Sequence, residues 1–326
     1  MANVTIKDVA KEAGVAVETV SRVLNNRGYI SQQMKDRVYE AMNRIGYTPN
    51  AFAQGLSRGK MNCIALIVPH ITHPYFATVI DHLEREAEKR GQHIIIYNSN
   101  GDEQKEEYLL RLCQNSLVSG VLLFSADISA DALKNLQLPI VVVERTGMAN
   151  SVNIQCDNRL GGELAACYLL DKGCRDLLVL GTLNNEDMPG DSRDEEFIRI
   201  CTAEHAQVHR YQASTRQYIT MDYHACINQA LDEHPSCDGI FATSDLIAAQ
   251  VIQECSRRGR RIPQDLRLVG FDDVPLAQLL TPTLTTIRQP IDRIVSTALD
   301  AIERLGSGHK TTSDIVLPVT LVERES

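Results

Sequence analysis

The stretch "TIKDVAKEAGVAVETVSRVLNN", residues 5–26, holds two short amphipathic periods separated by a single glycine. Thr5 stands before the first period and Asp8 three residues later, the spacing of a capping box. Ile6, Val9, Ala10 and Ala13 form one apolar face, and Gly14 closes the helix. In the second period Val20, Val23 and Leu24 fall inward at i, i+3, i+4 spacing. That leaves Val17, Glu18, Ser21, Arg22 and Asn25 facing outward. About three residues join the periods, and two amphipathic helices joined so tightly form a helix-turn-helix whose second helix enters the major groove. A third period, "SQQMKDRVYEAMNRIG", turns Met34, Val38, Met42 and Ile45 inward and stops at Gly46. A plain three-helix mini-domain is the alternative. The charge of the segment and its lack of Trp or Phe argue against it.

The charge is divided unevenly. Of a formal net −9 over 326 residues, the first 60 carry nine Lys/Arg against five Asp/Glu, a net +4, and the remainder −13. A basic head on an acidic body suggests that only the head meets an anionic polymer. The length exceeds one ordinary core and suits two or three compact units. The N-terminus has no apolar core of signal-peptide length, and no apolar run approaches the roughly 18–20 residues that cross a bilayer. A cytoplasmic location without membrane contact is expected. The nine cysteines include no CxxC pair, so no zinc ribbon or thioredoxin-type site is expected from their spacing. Cys63, Cys167, Cys201, Cys226 and Cys255 read as buried, reduced thiols.

"TPNAFAQGLSRGK", residues 48–60, reads as a linker that orders only when held. Asn50 can cap a helix of about two turns, but Gly55 inside it costs roughly 1 kcal/mol relative to Ala. So short a helix is marginal in water. From Cys63 the pattern changes to short β-branched apolar runs such as "CIALIVP", "GVLLF" and "IVVV", alternating with helical stretches. Repeated β-α alternation gives parallel sheets covered on both faces, and two such series imply two doubly wound α/β lobes. Ligands in these folds bind outside the carboxyl ends of the strands, here between the lobes. A late helix, "PIDRIVSTALDAIERLG", is expected to return to the first lobe.

The pieces "TIKDVAKEAGV", "ETVSRVLN", "GYTPNAFAQGL", "VPHITHPYF", "CDNRLGGELA", "SDLIAA", "VGFDD" and "LTTIRQP" resemble, in this order and spacing, the lactose-repressor (LacI) family of bacterial transcription regulators. "NNRGYIS" and "LPVTLVER" look most like its sugar-operon branch, the sucrose-type regulators among them. The resemblance implies an all-α helix-turn-helix head, residues 1–47, and a hinge helix, 48–60. It implies a two-lobe, periplasmic-binding-protein-like α/β core. The N-lobe would span 61–158 and 288–315, the C-lobe 159–287 and 316–326. It further implies a homodimer on palindromic operator DNA, with a small sugar effector in the cleft. Leu56 from each hinge would wedge into the minor groove, as an exposed Leu on a marginal helix would suit, and Asn50 and Ala53 would share that contact.

Arg22 is the candidate for base contact, since Arg bidentate to guanine is the commonest specific pair. Val17 and Glu18 match the family's variable specificity positions. Val17 suits a thymine methyl. Glu18 accepts from cytosine N4, pairs with Arg22 at i, i+4, or faces water. Thr5, Thr19, Ser21 and Asn25 are candidates for phosphate contacts, which position without specifying. Ala16 departs from the family's usual Ser and removes a helix cap.

In the cleft, Arg193 and Asp272 match the pair that the family uses on sugar hydroxyls. A fork of donors and an acceptor-only carboxylate together fix adjacent hydroxyls. Around Arg193 the pattern departs from the family's. "RDEEF" has Glu196 for the usual Gly, and three acids beside the clamp are expected to alter its polarity. Ser244 stands where Asn is frequent, and His70 and His73 where Asp and Asn are common. Tyr75 and Phe76 could stack on a sugar face, and Glu144 is a further wall residue. His70 and His73 sit in a loop with no third His or Cys nearby, so no metal is expected there.

Rival functions remain on the same scaffold. A periplasmic solute receptor lacks the basic head. Against an α/β enzyme, the chain is read as having no G-x-S-x-G, no P-loop and no G-x-G-x-x-G after a strand, and "GFDDVP" is no nucleophile elbow. The chain is therefore read as a non-enzyme without cofactor. A catabolite-control-type regulator governed by a partner protein is the alternative to sugar control.

Overall fold

The computed structural model describes residues 4–25, 28–48, 62–116, 118–124, 133–134, 136–145, 151–181, 191–309 and 313–326. It divides into two units, Met1–Asn62 and Cys63–Ser326. Asn50, Ala53 and Leu56, with the rest of the expected hinge helix, lie outside the described residues.

The first unit holds α1 (Ile6–Ala13), α2 (Val17–Leu24) and α3 (Gln32–Ile45). Gly14 and Gly46 end α1 and α3 at φ of 61° and 65°, the left-handed position where a glycine pays no Cβ penalty. Ser31 caps α3 by accepting from the Met34 N–H at 3.4 Å. Ala16 precedes α2 without a side-chain cap, as its lost hydroxyl requires. Val9, Ala10, Ala13, Val20, Val23, Val38, Ala41 and Met42 form the buried core. Val17 departs from the sequence reading: it is half-buried and packs on this core. Met34, expected inside, is only half-buried.

The second unit contains two six-stranded sheets, ordered β11-β5-β4-β3-β1-β2 and β12-β10-β9-β8-β6-β7. In the first sheet β1 is Cys63–Val68, β2 His93–Asn98, β3 Gly120–Phe124, β4 Ile140–Val143, β5 Val152–Cys156 and β11 Ser313–Leu317. The second has β6 Asp176–Gly181, β7 Gln207–Gln212, β8 Gly239–Ala242, β9 Arg267–Asp272, β10 Thr285–Arg288 and β12 Thr320–Val322. Pairings are parallel except for β12, which runs antiparallel to β10. The chain passes between sheets after β5, after β10 and after β11. β11 pairs through Leu317 with Cys156, two residues beyond the boundary expected after 315. Pro318, which has no N–H for a ladder, follows immediately.

The described connecting helices are α4 (Pro74–Lys89), α5 (Glu103–Gln114), α6 (Asn158–Asp171), α7 (Asp191–Ala203), α8 (Thr215–Thr220), α9 (His224–Glu233), α10 (Asp245–Arg257), α11 (Leu276–Leu279) and α12 (Ile291–Gly306). α12 lays Ile294, Val295, Ala298, Leu299 and Ile302 on the first sheet's core. Each of the Ile, Val and Leu side chains, fully buried, contributes about 1.5–3 kcal/mol. Cys167 corrects the reading of the thiols: it is exposed on α6, and Cys226 is half-buried.

Candidate functional site

In the head, Glu18 and Arg22 are exposed on α2, while Thr19, Ser21 and Asn25 are half-buried. Asn25 ends the helix and donates from Nδ2 to the Ser21 carbonyl at 2.8 Å and to Ser21 Oγ at 3.3 Å. Those two expected phosphate contacts are thus tied to one another. Thr5 is engaged as well, donating from its N–H and hydroxyl to Asp8 at 2.8 and 2.7 Å. These bonds hold the Asp8 carboxyl below its usual pKa. Arg22 lies against the chain after the helix, where a Cβ at Gly28 would stand 2.8 Å from its Nη2. Beside it is a shallow hollow of about 230 Å³, lined by Thr19, Arg22, Tyr29, Ile30, Ser31 and Met34.

In the second unit, polar side chains gather at the carboxyl ends of strands from both sheets. Arg193 on α7 is buried. It donates from Nε to Asn158 Oδ1 at 2.8 Å, from Nη2 to the same oxygen, and from Nη1 to the Thr243 carbonyl at 2.9 Å. Its guanidinium carbon lies 3.5 Å above the Phe271 ring centroid, a cation–π seat strengthened by desolvation. Asn158 in turn donates to Glu144 Oε2 at 3.1 Å and to the Cys156 carbonyl at 3.2 Å. Glu144 Oε1 accepts from the Cys156 N–H at 2.8 Å. Burial pushes the Cys156 thiol well up, so it stays a neutral neighbour of this chain of bonds.

Asp272, at the end of β9, accepts from Gln289 Nε2 at 2.8 Å, and Gln289 accepts from the Tyr75 hydroxyl at 3.2 Å. Burial raises the Asp272 pKa to about 7, with Arg193 opposing the rise. Two glycines admit this constellation. A Cβ on Gly162 would lie 2.1 Å from the Arg193 carbonyl oxygen, and one on Gly161 2.6 Å from the Phe271 ring. α6 approaches both the clamp and its aromatic seat too closely for alanine. Backbone strain collects here too. Glu144, Asp272 and Asp273 have φ of 58°, 115° and 55°, each costing of order 1–3 kcal/mol. Asp273 is held in place by Arg288 and Arg324, each at 2.5 Å.

Arg193, Asp272 and Glu144 are therefore brought together as their sequence positions suggested. The other candidates are engaged in the structure as follows. His73 is the N-cap of α4: its Nδ1 accepts from the Tyr75 N–H at 3.2 Å, which leaves Nε2 as the protonated nitrogen. Burial, then His70, lowers its pKa to about 4. Ser244 likewise caps α10, accepting from the Ile247 N–H at 3.3 Å. Tyr75 is buried, with its ring edge-on to Phe76 and Phe124 at 5.3 and 6.2 Å. Of the two aromatics only Phe76 is partly exposed, with its ring 5.5 Å from His73 and 5.7 Å from Phe124. His70 meets the Tyr218 ring at 5.4 Å, a contact between a loop of the first sheet and α8 of the second.

The acids beside Arg193 do not act on it as expected. Glu196 is paired with Arg199 at 2.6 Å and Arg159 at 3.4 Å, Asp194 with Arg210 at 3.3 Å, and Glu195 is exposed. Residues 55–59, "GLSRG", do spell G-x-S-x-G. A nucleophile elbow needs a strand directly before the serine and a helix after it. This pentad follows α3 and precedes β1, in a segment outside the described residues.

Residues 5–50 match the family described as bacterial regulatory proteins, lacI family, and residues 166–326 match the periplasmic binding protein-like domain. A ribose operon repressor of Halalkalibacterium halodurans is 33% identical over 99% of this chain and 96% of its own. The chain belongs to the lacI family of bacterial regulatory proteins. A sucrose operon repressor of Streptococcus mutans is 32% identical over 98% of both chains. A LacI family transcriptional regulator from Enterococcus faecalis, solved with bound ribose, is 28% identical with a TM-score of 0.69, covering 81% of this chain and 98% of that one.

In this lacI-family chain the sequence reading passed over Asn158, Gln289 and the Thr243 carbonyl, although "CDNRLGGELA" and "LTTIRQP" contain the first two. A signal was there for the close approach of α6 to Arg193 and Phe271. Two adjacent glycines inside a helix cost about 1 kcal/mol each relative to Ala, which points to a close approach by something important.

Proposed function

We propose that this protein is a homodimeric repressor of a sugar-utilisation operon, and that a small carbohydrate bound between the two sheets sets its affinity for a palindromic operator. The observation that carries this reading is a buried donor fork, Arg193 on α7, held against the Thr243 carbonyl, with an acceptor, Asp272 at the end of β9, close enough to feel its charge. Asn158 and Glu144 stand beside the fork, and Phe76 adds a partly exposed ring. Donors, acceptors and an aromatic ring in one cleft suit vicinal hydroxyls on a ring. The names of the ribose and sucrose relatives support a sugar.

Control follows from linkage. A sugar that binds one arrangement of the sheets better than another shifts the population toward it. The sugar then changes operator affinity by the same factor by which operator changes sugar affinity, and by no more than its differential affinity for the two arrangements. Exposed Glu18 and Arg22 then read base edges while Thr5, Thr19, Ser21 and Asn25 position the helix. Operator selection from random DNA, with and without ribose, sucrose, xylulose and cellobiose, tests the whole reading. A palindrome whose affinity one sugar changes tenfold or more is expected. Selection yielding no palindrome sinks the dimeric repressor. A palindrome indifferent to every sugar sinks carbohydrate control.

A further inference from the structure

At the amino-terminal end of the second sheet, away from the cleft, Asp176, His209 and His234 bring their ligand atoms within 4.8 Å of one another. Asp176 opens β6, His209 lies in β7, and His234 is the residue that ends α9. His209 is in register with Leu178 on the neighbouring parallel strand. Side chains alternate faces every residue, so Asp176 and His209 project from the same face. α9 packs on that face through Ile227, Ala230 and Leu231, which sets His234 over the pair. We propose that these three side chains bind a borderline transition-metal dication, Zn²⁺ above all.

Three observations carry the proposal. Asp176 Oδ1 is buried and accepts no hydrogen bond, whereas its Oδ2 takes the Ser236 hydroxyl at 2.7 Å. A carboxylate oxygen shut away from donors is costly, and each one in a folded protein calls for a cause. His209 Nε2 stands 3.6 Å from that oxygen, beyond hydrogen-bond range but within the span of two ligands on one ion. The His209 and His234 rings lie 3.6 Å apart and within 20° of parallel. Stacked so closely, the two imidazoles bring a ring nitrogen each to within 4.8 Å of the Asp176 carboxylate. Two imidazole nitrogens and one carboxylate oxygen select zinc, nickel, cobalt or copper over magnesium or calcium. Three protein ligands leave one tetrahedral position for water.

Near-parallel rings do not aim their lone pairs at one point, so ligation requires one ring to turn about its Cβ–Cγ bond. His234 is placed for this, beyond the helix at φ −127° and ψ 66°. The bound ion would tie β7, the edge strand of its sheet, to β6 and the end of α9. An ion that binds only the folded chain stabilises it by mass action.

The test uses the full-length chain, with Co²⁺ as a spectroscopic probe and Zn²⁺ as competitor, because nine thiols offer rival ligands. One Co²⁺ per chain is expected, showing ligand-field bands without thiolate charge transfer and displaced by Zn²⁺. Added Zn²⁺ should raise the melting temperature of the wild type. His209→Gln and His234→Gln should each weaken Co²⁺ binding tenfold or more and abolish that rise, while melting in EDTA like the metal-free wild type. A thiolate charge-transfer band, no Co²⁺ uptake, or unchanged affinity in the variants overturns the proposal. If either variant does not fold, the wild-type spectrum and stoichiometry decide.

Discussion

Asn158 accepts two N–H groups of Arg193, from Nε and Nη2, on one amide oxygen, while Arg193 rests on the Phe271 ring. The guanidinium is thereby fixed before any ligand arrives. Such preorganisation removes the entropy cost of immobilising a long side chain on binding.

Arg193→Lys keeps the charge and loses the fork. A lysine cannot satisfy Asn158 and the Thr243 carbonyl with the same geometry. The melting shift produced by the active sugar should fall by the equivalent of about 1.5–3 kcal/mol of binding. Operator affinity measured without sugar should stay near wild type. Retention of the full sugar response would show that the clamp lies elsewhere.

Gly162→Ala should destabilise the second unit by about 1–3 kcal/mol, the usual cost of overpacking, because its Cβ would press on backbone 2.1 Å away. Gly161→Ala meets side chains, the edge of the Phe271 ring and Ile287, and no backbone, and should cost less. Urea midpoints of both variants check the ranking. A Gly161 variant less stable than the Gly162 variant contradicts it.

His73 and Asp272 set opposing pH slopes. The folded chain keeps His73 neutral down to about pH 4, against an ordinary 6.5. It therefore loses stability as pH falls through that window. Asp272 is raised from 3.8 to about 7, so the folded chain holds a proton that the unfolded chain has released. Stability then falls as pH rises from about 4 to 7. Relative to wild type, Asp272→Asn should make stability climb more steeply between pH 4 and 6.5. His73→Asn, which keeps a cap, should make it climb less. Each difference should reach about 2–3 kcal/mol across the window. Parallel profiles for all three proteins would remove both assignments.

Glu18→Gln exchanges an acceptor-only group for an amide on an exposed position of α2. Preference at one base pair per half-site should shift by about 1–3 kcal/mol if Glu18 accepts from cytosine. Val17→Ala, by contrast, should lower the stability of the head, since Val17 packs on its core. Operator selection and thermal melting of each variant separate the two roles. An unchanged operator for the Glu18 variant places that side chain in water.

Local signals settled much of the architecture. The glycines after α1 and α3, the capping pair Thr5–Asp8 and the 3.6-residue period define the head, because helix starts, stops and faces depend on neighbours within a turn. The β-branched runs placed the strands for the same reason. β2 shows the limit. "HIIIYN" carries three consecutive isoleucines, yet it is an edge strand with Ile96 43% exposed, since position in a sheet is decided by partners far along the chain.

By itself, the sequence determined the family and the helix-turn-helix, and it singled out Arg193 and Asp272 as candidates, since order and spacing are properties of the chain. Only the tertiary structure decided what each polar group faces. It turned His73 and Ser244 into helix caps, buried Tyr75 against Gln289, and drew the acids near Arg193 to other arginines. It also stacked His209 on His234 beside Asp176, residues separated by 25 and 33 positions in sequence. Hydrogen bonds and ion pairs act over a few ångströms of space. Distance along the chain carries no record of them once the strands have crossed.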